Sequence, residues 1–392
     1  MINALYEISK YAIFALSMFV MAKRVIFYYQ ENNLRLGGLW FAAFLTTFTL
    51  ICAIRFNVGG DCLTYMKIFY RGWIFEDKEK LWNLLVTVFH QLGFHYVIGM
   101  GVIAFIQIYF ITRGVRDFPF LLLTIPFVLF GGRYFLDLTG AIRQMTAACI
   151  FFWGSKFIFE KNFVKYVTVI IICSFIHHSS LMLIPIYFIP NRLSIANKRI
   201  LMSVILIACF LVGQTPSFQG FIPIVQNITY IAGYSNRSEF ITSYLNQGLT
   251  EEALTFGPMM LSYFLLAVIL ITYGPTLKRK YEKRIPLFNL WYNLAFTYSC
   301  AYFLICNVSH ILIRPVLYLE LFQLVTASLV LYDLFYAVTT PTKKRYYCYA
   351  VIAVIWLNTS WDIIKNYNNP WNFTTYKTIF ENKEKLDIIL KN

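Results

Sequence analysis

From one end of the chain to the other, apolar windows of about 15–22 residues recur, separated by short polar joints rich in Lys and Arg, the pattern of repeated bilayer crossings. With 59% hydrophobic and 14% charged residues among 392, the chain carries more apolar surface than any soluble core could bury. The crossings fall near 5–22, 36–54, 94–112, 119–135, 141–158, 163–176, 178–190, 200–213, 258–276, 287–306, 313–336 and 346–360. They must be helices, because only helices satisfy their own backbone hydrogen bonds in lipid, and the runs are too continuously apolar for a barrel. The expectation is an all-α polytopic membrane protein of about twelve transmembrane helices, in which residues 1–392 form a single integral membrane domain. The first apolar run lacks a small-residue cleavage site and is read as a retained crossing rather than a removed signal.

A net charge of +15 could indicate nucleic acid, but the basic residues sit mainly in the joints and have no water-exposed face on which to gather. Orientation explains them better. Alternate joints read "AKRVIFYYQENNLR", "TRGVRD", "KFIFEKNFVK", "NRLSIANKR", "KRKYEKR" and "TKKR", and the positive-inside rule puts these on the cytoplasmic side. The outer face then holds the loop 55–93, the turn 131–143, the apex at His177, the segment 214–257, the joint 307–314 and a tail 361–392. Parity requires two short segments between 163 and 190, meeting at His177 and His178. At about 13 residues each they are below the usual minimum for a crossing. The inner halves of the apolar runs are nearly free of ionisable residues. The eight cysteines lie mostly inside apolar runs without CxxC spacing, as small core residues do.

The unusual polar residues cluster on one side. All five histidines (His90, His95, His177, His178, His310) map to the outer side, as do Arg55, Arg133, Arg143, Arg237 and Arg314, where a charge near hydrocarbon costs about 2.5–3.5 kcal/mol. Any one of these arginines could be an anchor snorkelling to headgroups. Several converging from different helices suit a diphosphate, because the guanidinium fork matches phosphate oxygens two at a time. In "GAIRQMTAACIFFWG", Arg143 and Gln144 stand at a helix start, where free N–H groups add attraction for an anion. His177 in "SFIHHSSLMLIPIYFIP" can act as a general base or simply bond a carbonyl. In "RFNVGGDCLTY", Gly59 and Gly60 allow a turn that folds Asp61 and Tyr65 back over the membrane mouth. Asp61 is then a base, an ion-pair partner for an arginine, or a cap for the helix "CLTYMKIFYRG". The segment 214–257 is long enough for a lid, and its Tyr230, Tyr234, Phe240 and Tyr244 are side chains that stack on sugars; an interfacial helix is the competing explanation.

Three of these stretches together resemble a known family. "RFNVGGDCLTYMKIF" is similar to the Arg-x-x-x-Gly-x-Asp-x-x-x-Tyr signature of the EpsG-like polysaccharide polymerases, "AIRQMTAACIFFWG" to their Arg-Gln-x-x-Ala helix, and "SFIHHSSLMLIPIYFIP" to their His-x-Ser-Ala helix followed by Pro. The resemblance runs from the second crossing to the end, including Arg314 before Tyr318 and the tail "NNPWNFTTYKTIF". It implies a GT-C-like glycosyltransferase of the Wzy type in the bacterial cytoplasmic (inner) membrane. Such an O-antigen polymerase transfers a growing glycan from undecaprenyl diphosphate to a new lipid-linked repeat unit on the outer face. Residue by residue it carries over Arg55, Asp61, Tyr65, Arg143, Gln144, His177 and Arg314; His178 and Gly60 depart from the pattern.

The expectation is therefore glycosyl transfer without metal or other cofactor. Asp61 or His177 is catalytic, and Arg55, Tyr65, Arg143, Gln144, His178, Arg237 and Arg314 bind substrate. The expected partners are the undecaprenyl-diphosphate-linked oligosaccharide, membrane lipid and a protein that regulates chain length. The rivals are an O-antigen ligase, a flippase or transporter for lipid-linked sugars, and a membrane acyltransferase.

Overall fold

The computed structural model describes residues 2–74, 78–190, 193–213, 257–305, 310–336, 342–369 and 372–381, with the side chains of 310–312 and 342–345 outside the description. Among them the chain is helical, and its one extended pairing is an isolated antiparallel bridge between Arg55 and Thr378. Among the described residues five helices are long and apolar enough to cross a membrane: α1 (Ile2–Gln30), α2 (Leu34–Ala53), α5 (Tyr96–Gly114), α12 (Pro258–Tyr281) and the Tyr346–Asn366 portion of α16 (Thr342–Asn366). A membrane protein follows from these, whereas twelve full-length spans do not.

The shortfall has local causes. The run expected to cross at 119–135 is broken into a 3-10 turn (Pro119–Leu123), α6 (Ile125–Gly131) and α7 (Tyr134–Gly140), with Arg133 left-handed at φ 72° between the last two. The next run divides into α8 (Ile142–Gly154) and α9 (Lys156–Phe159). Both main breaks fall at glycines, Gly131-Gly132 and Gly140, where helix propensity is lowest. At 163–190 the two short segments are α10 (Phe163–Ile176) and a 3-10 helix (His178–Phe188), parted by His177 in extended conformation at φ −147°. A 3-10 helix rises about 2.0 Å per residue against 1.5 Å, so each segment covers roughly 21–22 Å, some two-thirds of the hydrocarbon thickness.

Between α2 and α5 the outer loop folds into two helices, α3 (Cys62–Arg71) and α4 (Lys80–Gln91), which share with Tyr96 and Met100 of α5 a core of their own around Tyr65, Phe69 and Trp82. Elsewhere α1, α2, α5, α8 and α10 pack in succession. The rest comprises α11 (Arg199–Gly213), α12, α13 (Phe288–Ile305), α14 (His310–Leu317), α15 (Glu320–Phe335) and α16. Of the described helices longer than ten residues, two are buried nearly all round: α8 at every position but Arg143 and Trp153, and α15 at every position but Tyr332 and Phe335. Outer helices instead expose apolar residues such as Val164, Ile200, Val204 and Leu211, as lipid-facing surfaces do. Gln107 of α5, fully inside, donates to the Leu138 carbonyl (3.0 Å) and the Thr146 hydroxyl (3.2 Å), fixing the start of α8.

Two features depart from the sequence reading. The end of α15 opposite Glu320 is charged: buried Asp333 accepts from Lys280 (2.8 Å), Tyr273 (2.6 Å) and Tyr281 (3.0 Å). That end of the apolar runs, read as nearly free of ionisable residues, therefore holds a buried aspartate, which is paired with Lys280. The expected tail begins later than Trp361, because α16 continues to Asn366. From Asn372 the chain returns to the turn after α2: Phe56 donates to the Lys377 carbonyl (2.9 Å), Gly59 to Phe373 (3.0 Å), and Ile379 to Ile54 (3.0 Å). Tyr11 of α1 joins it through the Thr374 carbonyl at 2.7 Å.

Candidate active site

The turn "RFNVGGD" needs one of its two glycines. Gly59 sits at φ 87°, where a Cβ would lie 2.5 Å from the Thr139 carbonyl carbon, whereas a Cβ on Gly60 meets nothing within 4 Å. This close approach seats the turn on the end of α7. Arg55 locks it there: 3% exposed, its guanidinium donates to the carbonyls of Cys52, Val58 (3.2 Å) and Thr139 (3.3 Å). The arginine expected to bind diphosphate is a brace for backbone. Asp61 stands at the N-cap of α3 without a capping bond, half-buried, one turn before Tyr65.

The residues that meet do so around an acid that the sequence reading passed over. Glu79, 1% exposed, precedes α4. One of its oxygens receives Arg143 Nη1; the other faces His177 Nδ1 at 2.9 Å and accepts the His178 backbone N–H at 3.3 Å. Burial pushes the Glu79 carboxyl up, but the His177 bond, the Arg143 charge and the His178 amide together hold it below the usual glutamate range. Arg143 Nε also donates to the Tyr65 hydroxyl (3.4 Å), and the guanidinium lies 5.9 Å from the Trp82 ring centre, with Tyr65 edge-on to Trp82 at 5.5 Å. On the far side the His177 ring stacks on Tyr318 (6.5 Å), whose hydroxyl meets Ser179 Oγ at 3.0 Å.

Each group arrives from a separate element: Tyr65 from α3, Trp82 from α4, Arg143 from the start of α8, His177 from the junction after α10, Tyr318 from the link into α15. Since a carboxylate only accepts, His177 Nδ1 carries the hydrogen, and in the neutral imidazole Nε2 is then the acceptor nitrogen. That is the tautomer a general base needs. Gln144, next to Arg143, donates to the Arg314 carbonyl, and its buried Oε1 meets no donor among the described residues. The Arg314 side chain is exposed.

The sequence-predicted residues therefore separate. Tyr65, Arg143, His177 and the backbone of His178 converge; Gln144 and Arg314 are tied to each other beside them; Arg55 braces the turn below. Arg133 belongs to another cluster, with Asp362 (2.7 Å) and Asp137 (3.7 Å). His90 and His95 are exposed, and His95 caps α5. Arg237, the His310 side chain and the aromatics of 214–256 lie outside the described residues. Glu79, Trp82 and Tyr318 were missed. In "EDKEKLW" one acid among three carried no mark except its place directly before a helix.

No curated protein and no solved structure matches the chain. The sequence profile of the EpsG family matches residues 38–383, which take in every residue of the convergence just described. The chain belongs to the EpsG family.

Proposed function

We propose that the protein is a polysaccharide polymerase acting on lipid-linked oligosaccharides. It transfers a growing glycan from undecaprenyl diphosphate to a new repeat unit at the outer face of the bacterial inner membrane, in a GT-C-like architecture. The observation that carries this reading is the single buried carboxylate of Glu79 holding Arg143 and His177 at once. The acceptor sugar hydroxyl attacks the anomeric carbon of the donor glycan, its proton passes to His177 Nε2, and the bond from that carbon to the diphosphate oxygen breaks. Glu79 orients the imidazole and stabilises it once protonated, as carboxylates do for catalytic histidines. Arg143 meets the charge developing on the departing diphosphate, a place where preorganised donors contribute most. Arg314 and Arg237 are the further cations for that leaving group, and Tyr65 and Trp82 hold the Arg143 guanidinium in place. Family membership supports the polymerase class.

Deleting the gene in its host and running surface polysaccharide on a gel tests the class: single repeat units without long chains are expected, whereas an intact ladder would refute it. With purified protein and lipid-linked repeat units, polymerisation should survive EDTA, and loss on chelation would overturn the metal-free route. His177→Ala should cost about 10²–10⁴-fold in rate, the usual contribution of a positioned base. If Asp61→Asn alone showed that loss, the base would be Asp61.

A further inference from the structure

Behind the site, two acids that the proposed chemistry does not use face each other across α7 and α15. Glu320, the first residue of α15, is completely buried, and neither of its carboxylate oxygens meets a donor among the described residues. The carboxyl of Asp137 on α7 is the acid that lies beside it. Two carboxylates are both acceptors and cannot bond unless a hydrogen lies between them. The nearby cation cannot serve both, because Arg133 Nη1 is taken by Asp362 of α16 at 2.7 Å and only its Nε approaches Asp137, at 3.7 Å. One guanidinium thus faces three carboxyls. The other titratable groups directed at Glu320 are neutral and donate nothing to it: Tyr134 of α7 gives its hydrogen to Gln323 (2.8 Å), while Tyr263, Tyr298 and Cys149 face it from α12, α13 and α8. Tyr302 of α13 sits beside Arg133.

We propose that Asp137 and Glu320 form a proton-binding site, holding one proton between them at neutral pH. That proton clamps α7 to the start of α15. Tyr318, two residues before Glu320, is thereby held where its ring stacks on His177 and its hydroxyl meets Ser179. Both acids are positioning residues, and the geometry of this cluster is independent of the polymerase reading.

The linkage has a definite sign. An acid that keeps its proton in the fold but loses it when unfolded makes stability fall as pH rises, tenfold in the folding equilibrium constant per pH unit for one proton, from the unfolded carboxyl range up to the pH at which the pair ionises. In Glu320→Gln the amide supplies a permanent N–H to Asp137. We expect the thermal midpoint of the purified full-length protein in nanodiscs to fall from mildly acidic to mildly alkaline pH, and the Glu320→Gln profile to lack that slope. Infrared spectra of the unmodified protein should show a protonated-carboxyl carbonyl band at neutral pH that disappears on alkalinisation. Parallel pH profiles for the two proteins, or absence of that band at neutral pH, would overturn the proposal. So would stabilisation of the unmodified protein by sodium or potassium over choline at equal ionic strength, because an inorganic cation would then bridge the pair. If Glu320→Gln does not fold, the infrared titration alone decides. None of these readouts uses substrate, so their failure is separate from failure of the polymerase assay.

Discussion

At the level of single residues, the site depends on one buried carboxylate with two basic partners. Removing one partner from such a pair costs about 3–5 kcal/mol, so Glu79→Ala should lower the thermal midpoint as well as abolish activity. Because the Glu79 carboxyl is held below its ordinary value, its contribution is complete above about pH 4.3, the unfolded glutamate value, and is lost as pH falls through the depressed value. Acid titration of Glu79→Gln against the unmodified protein checks this: only the latter should lose stability in that window. Arg143→Lys tests the fork against mere charge, with a large loss of activity expected, since an ammonium cannot meet Glu79, Tyr65 and a phosphate in one plane. The sequence singled out Arg143 and His177 because an arginine and a histidine among apolar residues are conspicuous. It could not single out Glu79, which stands in a polar loop beside Glu76 and Asp77.

At the level of elements, the turn after α2 distinguishes its two glycines. Gly59→Ala should destabilise by about 1–2 kcal/mol from the left-handed backbone alone, with the contact against Thr139 adding to that, whereas Gly60→Ala should be nearly neutral. Denaturation of both variants in the same detergent settles the comparison. Arg55→Met should cost about 1–3 kcal/mol for each buried carbonyl left without a donor, and the loss should appear in stability before it appears in substrate affinity. The turn and the helix "CLTYMKIFYR" were legible from Gly and Asp alone, but the loss of full-length helices at 119–158 was not. There apolar composition reads the same whether a run crosses lipid or is buried among other helices. What decides is the company it keeps: α8 and α15 are enclosed by neighbours, so their length is not tied to bilayer thickness.

For the whole molecule, the membrane class was readable from hydropathy and charge, and among the unusual polar residues it was Arg143 and His177 that the fold brought together. The contacts by which the tail braces the turn beneath the site were not readable, because they join segments hundreds of positions apart. Tyr376 of the tail donates to the Ile51 carbonyl at 2.8 Å and Asn57 donates to the Asn372 carbonyl at 3.3 Å. Removing residues from 372 onward should therefore leave a chain that still inserts but is inactive and is cleaved near 55–60 by proteases that spare the full-length form.

The return of the tail to this turn also sets a schedule for biogenesis. The turn and the first helix are made early, yet their partners in the tail come from Asn372 onward. While the chain is still being inserted, the turn beneath Tyr65 and Arg143 lacks its bridge to Thr378. A chain not yet extended through Thr378 would therefore hold Tyr65 and Arg143 above an unbraced turn, and the site would be completed only after the helices around it had been made.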